Sequence, residues 1–370
     1  MTLPEELLCI AFSFLSPHEI IQTISLVSTY WMHIIIAAKK QLASVIAPST
    51  QDMASSACIN GNLHSLKLLA NFNLQYDYSF IHLSCLNGHI QLAQWLTSHF
   101  NIPPAEICKY DNHIFRNSCE NGHLEIAQWL ASHFNLSPND ARAHHNHALL
   151  YSCQNGHFKL AQWLASHFEL YDDTRAEDNY ALRKSCENGH LYIVKWLTHG
   201  FKFSTTEVIH LFCIACENGH LQIAEYIAHH FNLSSDDARA HNNRALFESC
   251  QNGHLDVVKW LVSHFNITPE HARANQNYAL HLSCWNNHLK IAQWLTTKFE
   301  FSSEDIRAEN NYTFRHACAN GYLEMAKWLT SRFSLTSNDA RAMNNHALRQ
   351  SRDNGHPHVA DWLASHFKLQ

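Results

Sequence analysis

Ser152-Cys153-Gln154-Asn155-Gly156-His157-Phe158-Lys159-Leu160-Ala161-Gln162-Trp163-Leu164 is the stretch from which the fold follows, because close copies of it recur along the chain. The Asn of its Asn-Gly pair returns at Asn60, Asn87, Asn121, Asn155, Asn188, Asn218, Asn252, Asn286, Asn320 and Asn354. The spacings are 27, 34, 34, 33, 30, 34, 34, 34 and 34 residues. Self-similarity at that period marks a stacked array of small supersecondary units. Nine of the ten glycines fall in this one slot, and the tenth copy, Asn286-Asn287, fills it with the other residue that tolerates positive φ. Each copy therefore reads as a helix ended by Asn-Gly and followed at once by a second helix.

Beyond the hinge, Phe158, Ala161, Leu164 and Phe168 fall at helical spacing with Lys159, Gln162 and Ser166 between them, so one face is apolar. Upstream, Ser137-Pro138-Asn139-Asp140 has the composition of a helix start: a hydroxyl cap, Pro in the first turn, and an acid three residues after the cap. Similar starts stand at Pro103, Ser204, Ser234, Thr268 and Thr336. From cap to hinge is about 18 residues, which predicts a continuous first helix of roughly 27 Å. The 27-residue spacing shortens the helix before Asn87 by about two turns, and the 30-residue spacing shortens the one before Asn218 by about one.

These residues resemble the ankyrin repeat over about residues 50 to 370. Ala148-Leu149 matches the Pro-Leu of the family's Thr-Pro-Leu-His, Ser152-Cys153 its paired alanines, and Asn155-Gly156-His157-Phe158 with Ala161-Gln162-Trp163-Leu164 its Gly-His-Leu and second helix. One segment departs from the pattern. Where the family has a β-hairpin finger, Asp140-Ala141-Arg142-Ala143-His144-His145-Asn146 has neither a glycine turn nor β-branched residues. The expectation is an all-α solenoid of about ten repeats over 46–370, its fingers replaced by extended first helices.

Residues 1–45 stand outside the repeat. Leu3-Pro4-Glu5-Glu6-Leu7-Leu8, Phe14-Leu15-Ser16-Pro17 and Ser25-Leu26-Val27-Ser28 followed by Trp31 resemble an F-box, a three-helix module. The resemblance implies docking onto a Skp-type adaptor and through it onto a cullin ubiquitin-ligase core. Its adaptor-facing and module-core residues would be Leu3, Pro4, Leu7, Ile10, Leu15, Pro17, Ile20, Leu26, Val27 and Trp31. The other reading makes these helices a terminal cap for the array. The combination is similar to F-box and ankyrin proteins of large DNA viruses and of protists.

Composition narrows the function. A net charge of −6 with no basic stripe argues against nucleic acid or an acidic membrane as partner. No apolar run is long enough to span a bilayer, and the first residues lack the positive region of a signal peptide. Nine of the twelve cysteines sit two residues before the hinge Asn, a packing slot in a reducing compartment, so the protein is expected in the cytoplasm as a monomer. Cys153 and His157 recur together in register, but the hinge glycine separates them and two ligands do not make a closed zinc site. Neither a metal nor a cofactor is expected, and no nucleophile elbow, phosphate loop or acid–base pair suggests an enzyme.

Two further patterns concern the stack. Arg142 with Asn146, Arg175 with Asn179, Arg239 with Asn243, Arg273 with Asn277, Arg307 with Asn311 and Arg341 with Asn345 predict a ladder of side-chain hydrogen bonds between repeats. The residues that differ between copies are the candidates for binding a target protein: His147, Tyr180, Arg183, Arg244, Phe247, Tyr278, His281, Tyr312, Arg315, His346 and Arg349. Rows of Tyr and Arg suit a protein partner, since those side chains dominate interface hot spots.

Overall fold

The computed structural model describes residues 50–370, apart from 71–73, 200 and 370, so the residues 1–45 and the ten adaptor-facing positions lie outside it. Helix follows helix throughout, and no strand occurs among the described residues. The fingers of the ankyrin pattern are thus replaced by helical segments, as the sequence predicts. The chain divides after Leu182 into two compact units, each treated by itself below.

Residues 137–170 show the repeat. Ser137 Oγ accepts the Asp140 N–H at 3.3 Å while Asp140 Oδ2 accepts the Ser137 N–H at 2.8 Å. This reciprocal pair satisfies two backbone donors and starts the helix Pro138–Ala141, with Pro138 where its missing N–H is harmless. At the other end Asn155 stops the next helix, Gly156 turns it with φ 84°, and the His157 N–H returns to the Ser152 carbonyl at 2.9 Å. The second helix, Phe158–His167, buries Leu160, Ala161, Leu164 and Ala165. Each large aliphatic side chain so buried contributes about 1.5–3 kcal/mol.

The expected continuous first helix is interrupted. Within Ala143–Gln154, residues His144, His145 and Asn146 take φ of 54°, 58° and 59°, a single left-handed turn between two right-handed segments. The same turn occurs at Tyr110-Asp111-Asn112, Glu177-Asp178-Asn179, His241-Asn242-Asn243, Asn275-Gln276-Asn277 and Met343-Asn344-Asn345, and Asn310-Asn311 belong to another. A left-handed L-residue costs about 1–2 kcal/mol, and less for Asn and Asp, whose short side chains bond locally. That is why Asn holds the last place in every copy.

Two kinds of bond offset the strain. The N–H of that Asn returns to the carbonyl four residues back, as from Asn146 to Arg142 at 3.0 Å and from Asn277 to Arg273 at 3.0 Å. An arginine then covers the turn's exposed carbonyls: Arg116 donates to the Asp111 and Tyr110 oxygens at 2.8 and 3.1 Å, and Arg315 to the Asn310 oxygen at 2.9 Å. The two shortened repeats omit the turn. Their first helices, Tyr78–Leu86 and Thr205–Glu217, contain no left-handed residue.

Neighbouring repeats are fastened at the hinge. His157 Nε2 lies 2.9 Å from the Glu120 carbonyl of the repeat before, and Asn155 Nδ2 donates to the same oxygen at 2.8 Å. His89, His123, His220 and His288 make the equivalent contact with Ile59, Leu86, Glu187 and Gln251. Each ring rests on the previous repeat's glycine. A Cβ on Gly122 would sit 2.4 Å from His157 Nδ1, so the slot needs glycine for space as well as for its dihedral angle. The one hinge without glycine, Asn287, is followed in the next repeat by the one interior copy in which tyrosine, Tyr322, replaces this histidine. The exchange of both residues at matching positions fits a paired contact.

Candidate target-binding face

The left-handed turn decides which side chains the first helices offer, because the residue after it opens the second half of each first helix. Those residues are His147, Tyr180, Arg244, Tyr278, Tyr312 and His346, the first of the two rows predicted to meet a target.

In the amino-terminal unit, the His147 ring stacks on Tyr151 with centroids 4.0 Å apart, and Tyr151 meets Tyr180 at 6.1 Å. The Tyr180 hydroxyl donates to Gln154 Oε1 at 2.6 Å. Burial, helped by the positive charge of Arg116, lowers the His147 pKa to about 4, so the ring is neutral at pH 7.

In the carboxy-terminal unit the rings form a chain. Phe247 meets Tyr278 at 5.2 Å, Tyr278 meets Trp285 at 6.1 Å, and Trp285 meets Tyr312 at 5.3 Å, all nearly edge to face. His281 stacks on Trp285 at 5.9 Å. Edge-to-face pairs of this kind add about 0.5–1.5 kcal/mol beyond burial. Tyr278 and Tyr312 keep 36% and 37% of their surface exposed, enough to meet a partner. Arg244 is half-buried, with Nη2 3.3 Å from Glu217 Oε2 and Nε 3.7 Å from Glu248 Oε1.

The second predicted row needs correction. Phe247 and Arg315 are buried, at 7% and 6% exposure, and so present little to a partner. Arg315 caps the turn behind it and lies 5.5 Å over the Tyr312 ring, while Arg349 reaches the Met343 carbonyl at 3.3 Å. Both therefore help hold the repeat. Arg183 is half-buried in the same register, and His346 has its pKa lowered, first by burial and then by Arg315 and Arg349. Trp285 escaped the sequence reading, although it stands where other copies have Glu, Gln, Asp or an aliphatic residue, two residues before the hinge's substituted glycine.

The predicted ladder is present in part: Asn146 makes no bond to the following repeat and Arg175 donates to Asn179 of its own turn. Arg142 bonds Asp173, Arg307 bonds Asp339, and Arg273 Nε lies 3.7 Å from Asp305 Oδ1, each carboxylate belonging to the following repeat. Asn112, Asn277 and Asn311 donate to Asp140, Asp305 and Asp339 at 3.0, 3.1 and 3.3 Å. Asn243, like Asn146, lacks the bond: His271 occupies the capping position where Asn112, Asn277 and Asn311 find aspartate. Arg239 turns back to Asp236 of its own repeat.

The register cysteines are packing residues. Cys153 is fully buried, and burial pushes its thiol up to about 12. Ser152 Oγ beside it donates to the Cys119 carbonyl of the previous repeat at 3.1 Å. The paired His157 is engaged with the Glu120 carbonyl, so the Cys–His register serves the stack. No group of His, Cys, Asp or Glu suited to hold a metal ion occurs among the described residues. None of the described helices is long and apolar enough to cross a membrane.

Comparison with known families bears on both parts of the chain. A model of the F-box domain matches residues 1–38, and a model of ankyrin repeats matches at 115–207, 182–271 and 212–310, together more than half of the chain. The chain belongs to the ankyrin-repeat family and carries an F-box domain ahead of its repeats. A search of curated proteins returned no match. F-box and ankyrin modules bind proteins rather than catalyse reactions, so the architecture fits a protein-interaction adaptor.

Proposed function

We propose that this protein is the substrate receptor of a Skp–cullin–F-box ubiquitin ligase, in which residues 1–38 engage a Skp-type adaptor and the repeats hold the protein to be modified. The observation that carries the reading is the order of the two modules, an F-box domain followed by an array of ankyrin repeats. Leu3, Pro4, Leu7, Ile10, Leu15, Pro17, Ile20, Leu26, Val27 and Trp31 supply the adaptor contact and the core behind it. On the repeats, the exposed Tyr278 and Tyr312 and the half-buried His147, Tyr180 and Arg244 face the target. Support comes from their chemistry: partly exposed tyrosine and arginine on rigid helices lose little conformational freedom on binding. Such a receptor works where cullin ligases work, in a reducing compartment, which suits buried free thiols.

The test is direct binding. Purified full-length protein is mixed with a Skp-type adaptor, beside variants carrying Leu7→Asp or Leu26→Asp. A stable complex with the parent and a loss of at least tenfold in affinity with either variant, at unchanged helicity, is the expected result. A folded parent that retains no adaptor removes the ligase reading and leaves the amino-terminal helices as a cap.

A further inference from the structure

We propose that the groove between the left-handed turns at His144–Asn146 and Glu177–Asn179 receives an arginine side chain of the target protein. The proposal rests on the reading that the repeats are the target-holding half, and names what they recognise at one place. The groove has a volume of about 320 Å³ and lies wholly within the amino-terminal unit. That is at the lower end of the roughly 300–1,000 Å³ of small-molecule sites, room for one long side chain rather than a whole metabolite.

Its walls suit a guanidinium. Tyr151 and Tyr180 line the groove, with the Tyr180 hydroxyl fixed by Gln154, beside the buried Leu150. Glu177 lines the groove with its side chain 58% exposed, and its Oε1 lies 3.8 Å from His145 Nδ1. Behind the lining, the half-buried Glu120 places its carboxylate 3.6 Å from His147 Nε2. His147 is held neutral by its burial and by Arg116, so it adds no opposing charge at pH 7. Arg116, nearby, is 7% exposed and donates to the carbonyls of its own turn, and its charge also acts on Glu120. A guanidinium can lie flat on a tyrosine ring while pairing in the plane with a carboxylate, which an ammonium cannot do as well.

The wider charge agrees. Residues 50–182 carry twelve acidic and six basic side chains, whereas 183–370 carry seventeen and eighteen. The amino-terminal unit therefore holds the excess negative charge of the chain and draws a basic segment to itself.

A random dodecapeptide library displayed on phage and panned against the full-length protein tests the assignment without the adaptor, so a failure of adaptor docking leaves the outcome unaffected. Selected peptides should share an arginine, and a synthetic copy with citrulline in its place should bind about tenfold or more weakly, as expected for loss of a partly desolvated ion pair on a ring face. Glu177→Gln and Tyr151→Leu should each weaken binding about fivefold or more. Glu125→Gln, the same change on an exposed second-helix site, should leave it unaltered at the same melting temperature. Selection of peptides without arginine, equal binding by a lysine analogue, indifference to both groove substitutions, or no selected peptide would each overturn the assignment.

Discussion

Asp339→Asn tests how one repeat is locked to the next. Asp339 Oδ2 accepts the Thr336 N–H at 2.7 Å and the Thr336 hydroxyl at 2.9 Å, closing the cap of its own helix. Its Oδ1 accepts Arg307 Nε at 3.0 Å and Asn311 Nδ2 at 3.3 Å from the repeat before. Burial works to raise this carboxyl, but the bonds from Arg307 and Thr336 outweigh it and hold the pKa at about 2 against an ordinary 3.8. A depression of that size is worth about 2 kcal/mol at most. The Arg307 side chain is 37% exposed, so solvent screening brings the figure nearer 1 kcal/mol. The substitution keeps the shape and removes the charge. Urea unfolding at pH 7 should therefore place the variant about 1–2 kcal/mol below the parent, including some loss of capping. Because the folded pKa is the lower one, the contribution is fully present above pH 3.8 and is lost as pH falls through about 2. The gap between parent and variant should narrow steadily over that window. A gap that is absent at pH 7, or one that stays constant down to the acid limit, would refute this account of the lock.

The ladder makes a paired prediction at one of its gaps. Asn311→Gly should cost about 1 kcal/mol more than Asn243→Gly by chemical denaturation, since glycine relieves the left-handed strain equally but only Asn311 loses an aspartate partner, His271 standing where Asn243 would find one. Equal effects would show that the ladder bonds contribute nothing. The hinge predicts non-additivity: Gly122→Ala should cost about 2 kcal/mol or more, combining positive φ with the clash on His157, and His157→Ala in the same chain should recover part of that cost. Strictly additive losses would mean that the ring does not occupy the glycine's space.

Much of this fold could be read from the repeat itself. The glycines located nine of the ten hinges and the Asn-Asn pair the other, the Ser-Pro-Asn-Asp type of start located the caps, and the absence of a glycine turn at 140–146 argued against a β-hairpin. The left-handed turns were missed because a helical pattern counts apolar spacing, and Asp140–Asn146 has little of it. The signal was the Asn ending each triplet, which was taken for a ladder rung and is a dihedral requirement too. The role of His157 was not legible, because its ring reaches back to Gly122 and Glu120 across about 35 residues. Such pairings need the stack before they can be seen, although the joint exchange of Asn287 and Tyr322 was already in the sequence. On the binding face, the first variable row was legible as the residue following each ladder Asn. The burial of Phe247 and Arg315 was not, because helical spacing alone does not reveal which of two neighbouring rows the next repeat covers.

Affinity capture of the full-length protein from cells, read by quantitative mass spectrometry, tests the central claim most directly. The account predicts a Skp-type adaptor and a cullin together with one further protein in the parent sample. Leu26→Asp should lose the adaptor and cullin while keeping the third protein, and Glu177→Gln with Tyr151→Leu should do the reverse. Loss of all partners together, or a folded parent that brings down a target with neither adaptor nor cullin, would contradict it.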